Sequence, residues 1–129
     1  YGKPHKNFLG VFLGLAAESD SSENGLALGL EYERLLSPSI GLGAVVERTF
    51  DDLESWSYIA PVAYHTVHWK FYVGPGIEDP DDHDSEFLVR VGVEYGIDIN
   101  GWELAPQFDI DFVDGDEVYV FGFVLGKPF

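Results

Sequence analysis

The strongest constraint in this sequence is the regular alternation of apolar and polar residues with a period of two. In the segment 102–112, one parity carries Trp102, Leu104, Pro106, Phe108, Ile110 and Phe112, and the other carries Glu103, Ala105, Gln107, Asp109 and Asp111. The segment 89–99 follows the same rule. Because successive side chains of a β-strand point to opposite faces, this pattern predicts strands with one apolar and one polar face. No segment shows a convincing helical period.

Turn-forming residues divide the chain into eight such segments. They cover residues 7–17, 26–35, 40–50, 56–65, 69–77, 87–99, 102–112 and 118–129. The links at 37–39, 66–68 and 100–101 are short, whereas those at 18–25, 51–55, 78–86 and 113–117 are longer and acidic. In an up-and-down meander, alternate links lie at the same end. The sequence therefore predicts an all-β fold, a closed eight-stranded antiparallel up-and-down barrel, with 1–129 as one domain and 1–6 as an N-terminal tail.

Composition and charge limit the classes of function. The chain has 7 Lys and Arg against 23 Asp and Glu, a formal net charge of -16, so nucleic acid is not an expected partner. Cysteine is absent, which excludes disulfides and thiolate metal sites. No apolar run approaches the roughly 20 residues that a membrane helix needs. The first residue is Tyr1 rather than Met, and removal of a secretory signal peptide is the expected cause.

The distribution of acidic and aromatic residues predicts which face of the barrel is apolar. Fifteen of the acids fall in the four long links, and the other eight share the polar parity of their strands: Glu31, Glu33, Glu47, Glu94, Asp98, Glu103, Asp109 and Asp111. The large aromatic residues share the opposite parity. An eight-stranded barrel is only wide enough for its inward side chains to fill it. The apolar parity is therefore expected to face lipid, which predicts a transmembrane barrel without an open pore. A β-sandwich that divides the large residues between two sheets is the alternative.

The same parity assigns individual residues to the lipid and to the lumen. Leu9, Val91, Val93, Phe108, Ile110, Phe121 and Phe123 are predicted to face lipid. Lys70 and Arg90 are predicted to form an ion-pair network inside the lumen with Glu94, Asp109 and Asp111, because buried charges are costly unless paired. Three prolines inside predicted strands, Pro61, Pro75 and Pro106, indicate bulges or errors in the strand boundaries.

The link 78–86 has the highest density of acidic residues in the chain. Asp79, Asp81, Asp82 and Asp84 offer the oxygen ligands that Ca²⁺ prefers, and Ca²⁺ is the only cofactor that the sequence suggests. The link lacks the glycine and the terminal acid of an EF-hand loop. The alternative is a solvated acidic loop that binds no specific ion.

The last predicted strand, 118–129, resembles the C-terminal assembly signal of outer-membrane β-barrel proteins. Its outward parity carries Tyr119, Phe121, Phe123, Leu125 and the terminal Phe129, while Lys127 and Pro128 depart from the pattern. The whole chain is similar to small barrels of the OmpA-domain and OmpX kind. This resemblance implies an outer membrane of a Gram-negative-type bacterium, extracellular long loops and periplasmic termini. It also implies contact with outer-membrane lipid and lipopolysaccharide, and recognition by the barrel-insertion machinery.

The expected function is that of a structural or surface-binding barrel that acts through its acidic loops. A surface protein is one of the expected partners of these loops. Some small barrels are lipid A-modifying surface hydrolases that use a serine, a histidine and an acid. Here Ser57 and His65 lie toward opposite ends of one predicted strand, so no triad is visible and catalysis is not expected. That hydrolase, and a barrel subunit of a larger surface assembly, remain the alternatives.

Overall fold

Ten β-strands account for most of the chain. The structure, a computed structural model, describes residues 6–18, 24–50, 54–80, 84–113 and 115–129. The strands are β1 (Asn7–Glu18), β2 (Asn24–Leu35), β3 (Ile40–Thr49), β4 (Ser55–Ile59), β5 (Val62–His65), β6 (Trp69–Pro80), β7 (Glu86–Tyr95), β8 (Ile97–Ile99), β9 (Trp102–Val113) and β10 (Asp116–Pro128). Across the described residues, no helix is long and apolar enough to cross a membrane.

The strands close into one antiparallel barrel. Each pairs with its neighbours in chain order, and β1 pairs with both β2 and β10, which joins the first strand to the last. Strands β4 and β5 lie in line between β3 and β6, and β7 and β8 lie in line along β9. Each in-line pair counts as one barrel strand. The predicted closed eight-stranded barrel is confirmed, and the β-sandwich alternative is wrong.

The break between β4 and β5 is caused by prolines. The amide of Gly43 donates to the carbonyl of Pro61 at 2.9 Å, and the amide of Ala60 donates to the carbonyl of Pro75 at 3.0 Å. Neither proline has an N–H to return, so each pair keeps one hydrogen bond of the usual two. The register is the same on both sides of the break. Pro61 therefore interrupts the ladder, and neither Pro61 nor Pro75 forms a bulge.

The short link after β8 is a two-residue hairpin turn. Asn100 and Gly101 both adopt positive φ, 53° and 88°, and Ile99 pairs with Trp102 across them. Two central residues with positive φ match the right-handed twist of the flanking strands. Asn-Gly, the strongest hairpin signal in the sequence, is confirmed as a turn.

The two faces of the barrel follow the predicted parity. Of the residues expected to face lipid, Leu9, Val91, Phe108, Phe121 and Phe123 are exposed, and Val93 and Ile110 are half-buried on the same outer face. The inner face combines glycines and small apolar residues with the buried charges. Phe12 is the largest fully buried apolar side chain there, and its ring lies over Gly14 and Gly122, where a Cβ atom would leave it no space. The lumen is thus filled by side chains from its own strands.

Candidate functional site

A cluster of charged side chains crosses the lumen at the level of Arg90. Its guanidinium is 1% exposed and makes a two-point contact with Asp111, Nε to Oδ1 at 2.6 Å and Nη2 to Oδ2 at 2.8 Å. Two further hydrogen bonds reach Glu47, at 3.0 and 3.1 Å, and Nη1 lies 3.3 Å from Asp109. Asp111 is the cross-strand neighbour of Arg90, whereas Glu47 comes from β3. One guanidinium therefore ties three strands together through the lumen.

Neutral polar groups complete this cluster around Asp109. The hydroxyl of Tyr72 and the amide of Gln107 both donate to its carboxylate, the latter at 2.8 Å. Gly92 leaves the space in which Tyr72 and Asp109 meet, since a Cβ atom there would strike both. Packed polar side chains therefore fill the lumen at this level.

A second group of charges lies nearer the short-turn end. The ammonium of Lys70 is 2.8 Å from Glu33 Oε1, and His65 Nε2 is 2.5 Å from Glu33 Oε2. Glu94, the cross-strand neighbour of Lys70, is buried, and its Oε1 has no hydrogen-bond partner. Of the five residues assigned to the lumen, the structure thus brings Arg90, Asp109 and Asp111 together, and places Lys70 and Glu94 in this separate group.

Sequence reasoning missed several members of the two groups. Glu47 has the same inward parity as the other lumen acids, but parity does not show that it would lie beside Arg90 across the barrel. His65 is half-buried against Glu33, a contact that the sequence pattern does not indicate. The sequence analysis did not identify Tyr72 as a lumen residue, although the alternation of β6 places its side chain on the inner face.

The outer surface carries an apolar belt with aromatic rings near both ends. At the turn end Trp69 meets Tyr95 edge to face at 5.0 Å, and the Lys127 ammonium lies 5.2 Å from the ring centre of Trp102. At the loop end the guanidinium of Arg48 lies 5.4 Å from the ring centre of Trp56. Amphipathic rings and long basic side chains suit the boundary between hydrocarbon and water.

The predicted Ca²⁺ loop falls only partly within the described residues. Asp79 and Asp84 are exposed, and Asp79 accepts a hydrogen bond from Ser85 at 3.2 Å. Asp81 and Asp82 lie outside the described residues. In the part of the chain that the structure describes, no three His, Asp or Glu side chains are grouped so that they could hold a metal ion.

The geometry brings together no catalytic triad among the described residues. Ser57 is buried on the inner face of β4, and His65 lies eight residues further along the same barrel strand and contacts Glu33. Eight residues of extended chain span roughly 26 Å. Within the described ranges, no serine hydroxyl is hydrogen-bonded to a histidine ring, so a nucleophile and its base are not paired here.

Comparison by sequence finds no relatives, whereas comparison by structure does. No protein-family model matches this chain, and no curated protein matches it significantly. The attachment invasion locus protein Ail of Yersinia pestis matches 98% of this chain and 100% of its own with a TM-score of 0.70 at 10% identity. The N-terminal barrel of Pseudomonas aeruginosa OprF matches 98% and 100% with a TM-score of 0.68 at 13% identity.

Two further structures broaden the comparison. A de novo designed transmembrane β-barrel covers 99% of this chain and 98% of its own, with a TM-score of 0.63 at 16% identity. Ail has also been solved with the heparin analogue sucrose octasulfate, in a structure that covers 96% of this chain with a TM-score of 0.61 at 13% identity. These identities establish the fold alone. The chain has the fold of the small eight-stranded transmembrane β-barrels found in bacterial outer membranes.

Proposed function

We propose that this protein is a non-conducting outer-membrane barrel that holds its acidic loops at the cell surface. The observation that carries the proposal is the arrangement of the two faces: the outer face is apolar, and the buried charged side chains lie in the lumen. A water-soluble barrel requires the opposite arrangement.

The outer face supports membrane insertion. Along the pairing of β1 with β10, Val11, Leu13 and Leu15 lie opposite Leu125, Phe123 and Phe121, and all six are exposed to between 50% and 63% of their full area. The outward residues of the neighbouring strand β2 extend this surface. Soluble monomers rarely expose contiguous apolar areas larger than a few hundred Å². This face is therefore expected to contact lipid.

The proposed orientation places the four acidic links outside the cell and the short turns in the periplasm. The chain contains no cysteine, so a single introduced cysteine reports the side on which it lies. Ser85→Cys marks the loop end, and Val67→Cys marks the turn end, where Val67 is 90% exposed. A membrane-impermeant maleimide should label Ser85→Cys in intact cells and Val67→Cys only after lysis. The reverse pattern would show the opposite orientation.

The absence of conduction has its own test. In cells, the protein should fractionate with the outer membrane. After purification it should show the faster mobility of a folded barrel on unboiled gels. In planar bilayers, the purified barrel should give no stable conductance steps. Heat-unfolded protein from the same preparation is the control for leakage caused by detergent. Reproducible ohmic steps from the folded protein alone would contradict a closed lumen.

The partners we propose follow from charge. Outer-membrane lipid surrounds the apolar belt, and the barrel-insertion machinery would read the C-terminal strand. Fifteen carboxylates at one rim would repel the phosphates of lipopolysaccharide, so we propose that divalent cations lie between them, with Asp79, Asp81, Asp82 and Asp84 as the Ca²⁺ ligands of first choice. A basic surface protein is the matching macromolecular partner. Sulfated polysaccharide, which the Ail complex suggests for that protein, does not suit a rim of this sign.

A further inference from the structure

Two adjoining cavities open at the short-turn end of the lumen. The larger has a volume of about 400 Å³, and the smaller of about 170 Å³. His65, Lys70, Glu94 and Glu103 line both of them. The larger cavity also reaches Asp98. This space is distinct from the acidic loops, which lie at the opposite end of the barrel.

Glu94 is the unexplained group in these cavities. It is 3% exposed, and its Oε1 makes no hydrogen bond. A buried carboxylate oxygen without a partner is costly, and each such group in a native fold calls for a missing partner. Glu94 lines both cavities, so the partner it lacks would lie in that space.

The basic residues of the lining do not supply that partner. Lys70 and His65 both pair with Glu33, at 2.8 and 2.5 Å. Among the described residues, no base lies within ion-pairing distance of Glu94, Asp98 or Glu103. Lys6 lines only the smaller cavity and is itself exposed. The larger cavity is therefore lined by three acids, Glu94, Asp98 and Glu103, and by one lysine, Lys70, which is hydrogen-bonded to Glu33.

The shape of the space distinguishes between classes of cation. The described acids are not grouped closely enough to coordinate a metal ion, and the larger cavity exceeds the size of one. Gly96 keeps the wall open, because a Cβ atom there would lie 3.2–3.5 Å from the Glu103 carboxyl group. Buried carboxylates that lack a hydrogen-bonding base bind organic ammonium groups through charge-assisted hydrogen bonds.

We propose that the turn-end cavity binds a small primary organic ammonium ion, with Glu94 and Glu103 accepting its hydrogen bonds. Glu94 is the binding residue at the inner end of the cavity. Lys70 is hydrogen-bonded to Glu33, and Glu94 Oε1 has no hydrogen-bond partner within the protein.

The test is an NMR titration of the refolded full chain in maltoside micelles, a detergent without an amine. Ethylammonium chloride should give saturable shifts of the Tyr95 and Gly96 amides, and KCl at equal ionic strength should not. Glu94→Gln should weaken binding by about tenfold, the value of one charge-assisted hydrogen bond, and Glu103→Gln should weaken it also. Both variants are first checked for folded mobility on unboiled gels.

Controls separate this site from general charge effects. Glu117→Gln removes one negative charge at the loop end and should leave the affinity unchanged, whereas Lys6→Gln removes a positive charge near the cavity and should tighten binding. Equal shifts with KCl would overturn the proposal in favour of screening, and saturation by CaCl₂ at lower concentration would overturn it in favour of a metal site. Unchanged affinity in both Glu94→Gln and Glu103→Gln would also overturn it. None of these outcomes depends on the orientation or conductance of the barrel.

Discussion

Replacement of Arg90 by methionine is the most direct test of how the lumen is stabilised. Methionine has similar length, keeps the apolar stem and removes the guanidinium. In the parent protein one positive charge faces the carboxylates of Glu47, Asp109 and Asp111 at 2.6–3.3 Å. In the variant, all three carboxylates stay in the lumen and lose the basic side chain that contacts them.

The expected loss follows from these contacts. Removing one partner of a buried ion pair destabilises a protein by about 3–5 kcal/mol, because the remaining charge is uncompensated. Arg90→Met leaves three such partners, so we expect a loss at the upper end of that range. Arg90→Lys keeps the charge but has one nitrogen where arginine uses three. We expect it to lose about 1–3 kcal/mol, one or two charge-assisted hydrogen bonds.

Urea unfolding in lipid vesicles, followed by tryptophan fluorescence, measures these differences. The chain has 3 tryptophans, and none of them contacts Arg90. A double variant, Arg90→Met with Glu47→Gln, gives the coupling energy of that pair, for which we expect about 1–3 kcal/mol. Phe12→Leu is the matched control for a lumen change that removes no charge.

Two results would refute the reasoning about Arg90. One is an Arg90→Met protein within about 1 kcal/mol of the parent, at an unchanged denaturant slope, since the pairing would then contribute no more than a surface ion pair. The other is equal stability of Arg90→Lys and Arg90→Met, which would show that the charge itself has no effect.

Three further predictions test the outer face, the packing of the lumen and the loops. Leu13→Arg places a charge at the middle of β1 and should cost about 2–4 kcal/mol in vesicle unfolding, with Leu13→Ile as the control. Gly92→Ala should cost about 1–3 kcal/mol in the same assay through overpacking against Asp109, and a stability equal to the parent would show that the lumen is looser than described. Millimolar Ca²⁺ should raise the melting temperature at constant ionic strength, and Asp81→Asn with Asp82→Asn should abolish the rise; a rise that Na⁺ reproduces would leave only screening.

The alternation of side chains made the barrel predictable from the sequence. Period two fixes which residues share a face, and the alternation of short and long links fixes the meander, so strand number and inner and outer faces both follow. The Pro61 interruption was harder to foresee. A proline removes one hydrogen bond, but whether the chain bulges or keeps its register depends on the two neighbouring strands, which the local sequence does not contain.

The partners of the lumen charges were the least predictable feature. Parity places Glu47, Arg90 and Asp111 inside, and the cross-strand pairing of Arg90 with Asp111 follows once the register is known. The contact with Glu47 depends on the diameter and stagger of the closed barrel. Because that geometry cannot be read from the sequence, the sequence suggested one network around Lys70 and Arg90. In the structure, these two residues belong to separate groups of charged side chains at different depths in the lumen.

The lumen charges also provide a reason for a unique register in this barrel. The outer face is apolar through the middle of the strands, and lipid contacts discriminate poorly between one slipped pairing and another. A slip of one residue would turn Arg90 outward into lipid and leave Glu47 and Asp111 unpaired inside. A slip of two residues would keep each side chain on its face but would separate Arg90 from Glu47 and Asp111. The hydrogen bonds of Arg90 to these acids, at 2.6–3.1 Å, leave little tolerance for such a shift. The buried ion pairs therefore specify how β3, β7 and β9 align, and the price of desolvating them is offset by the exclusion of slipped barrels.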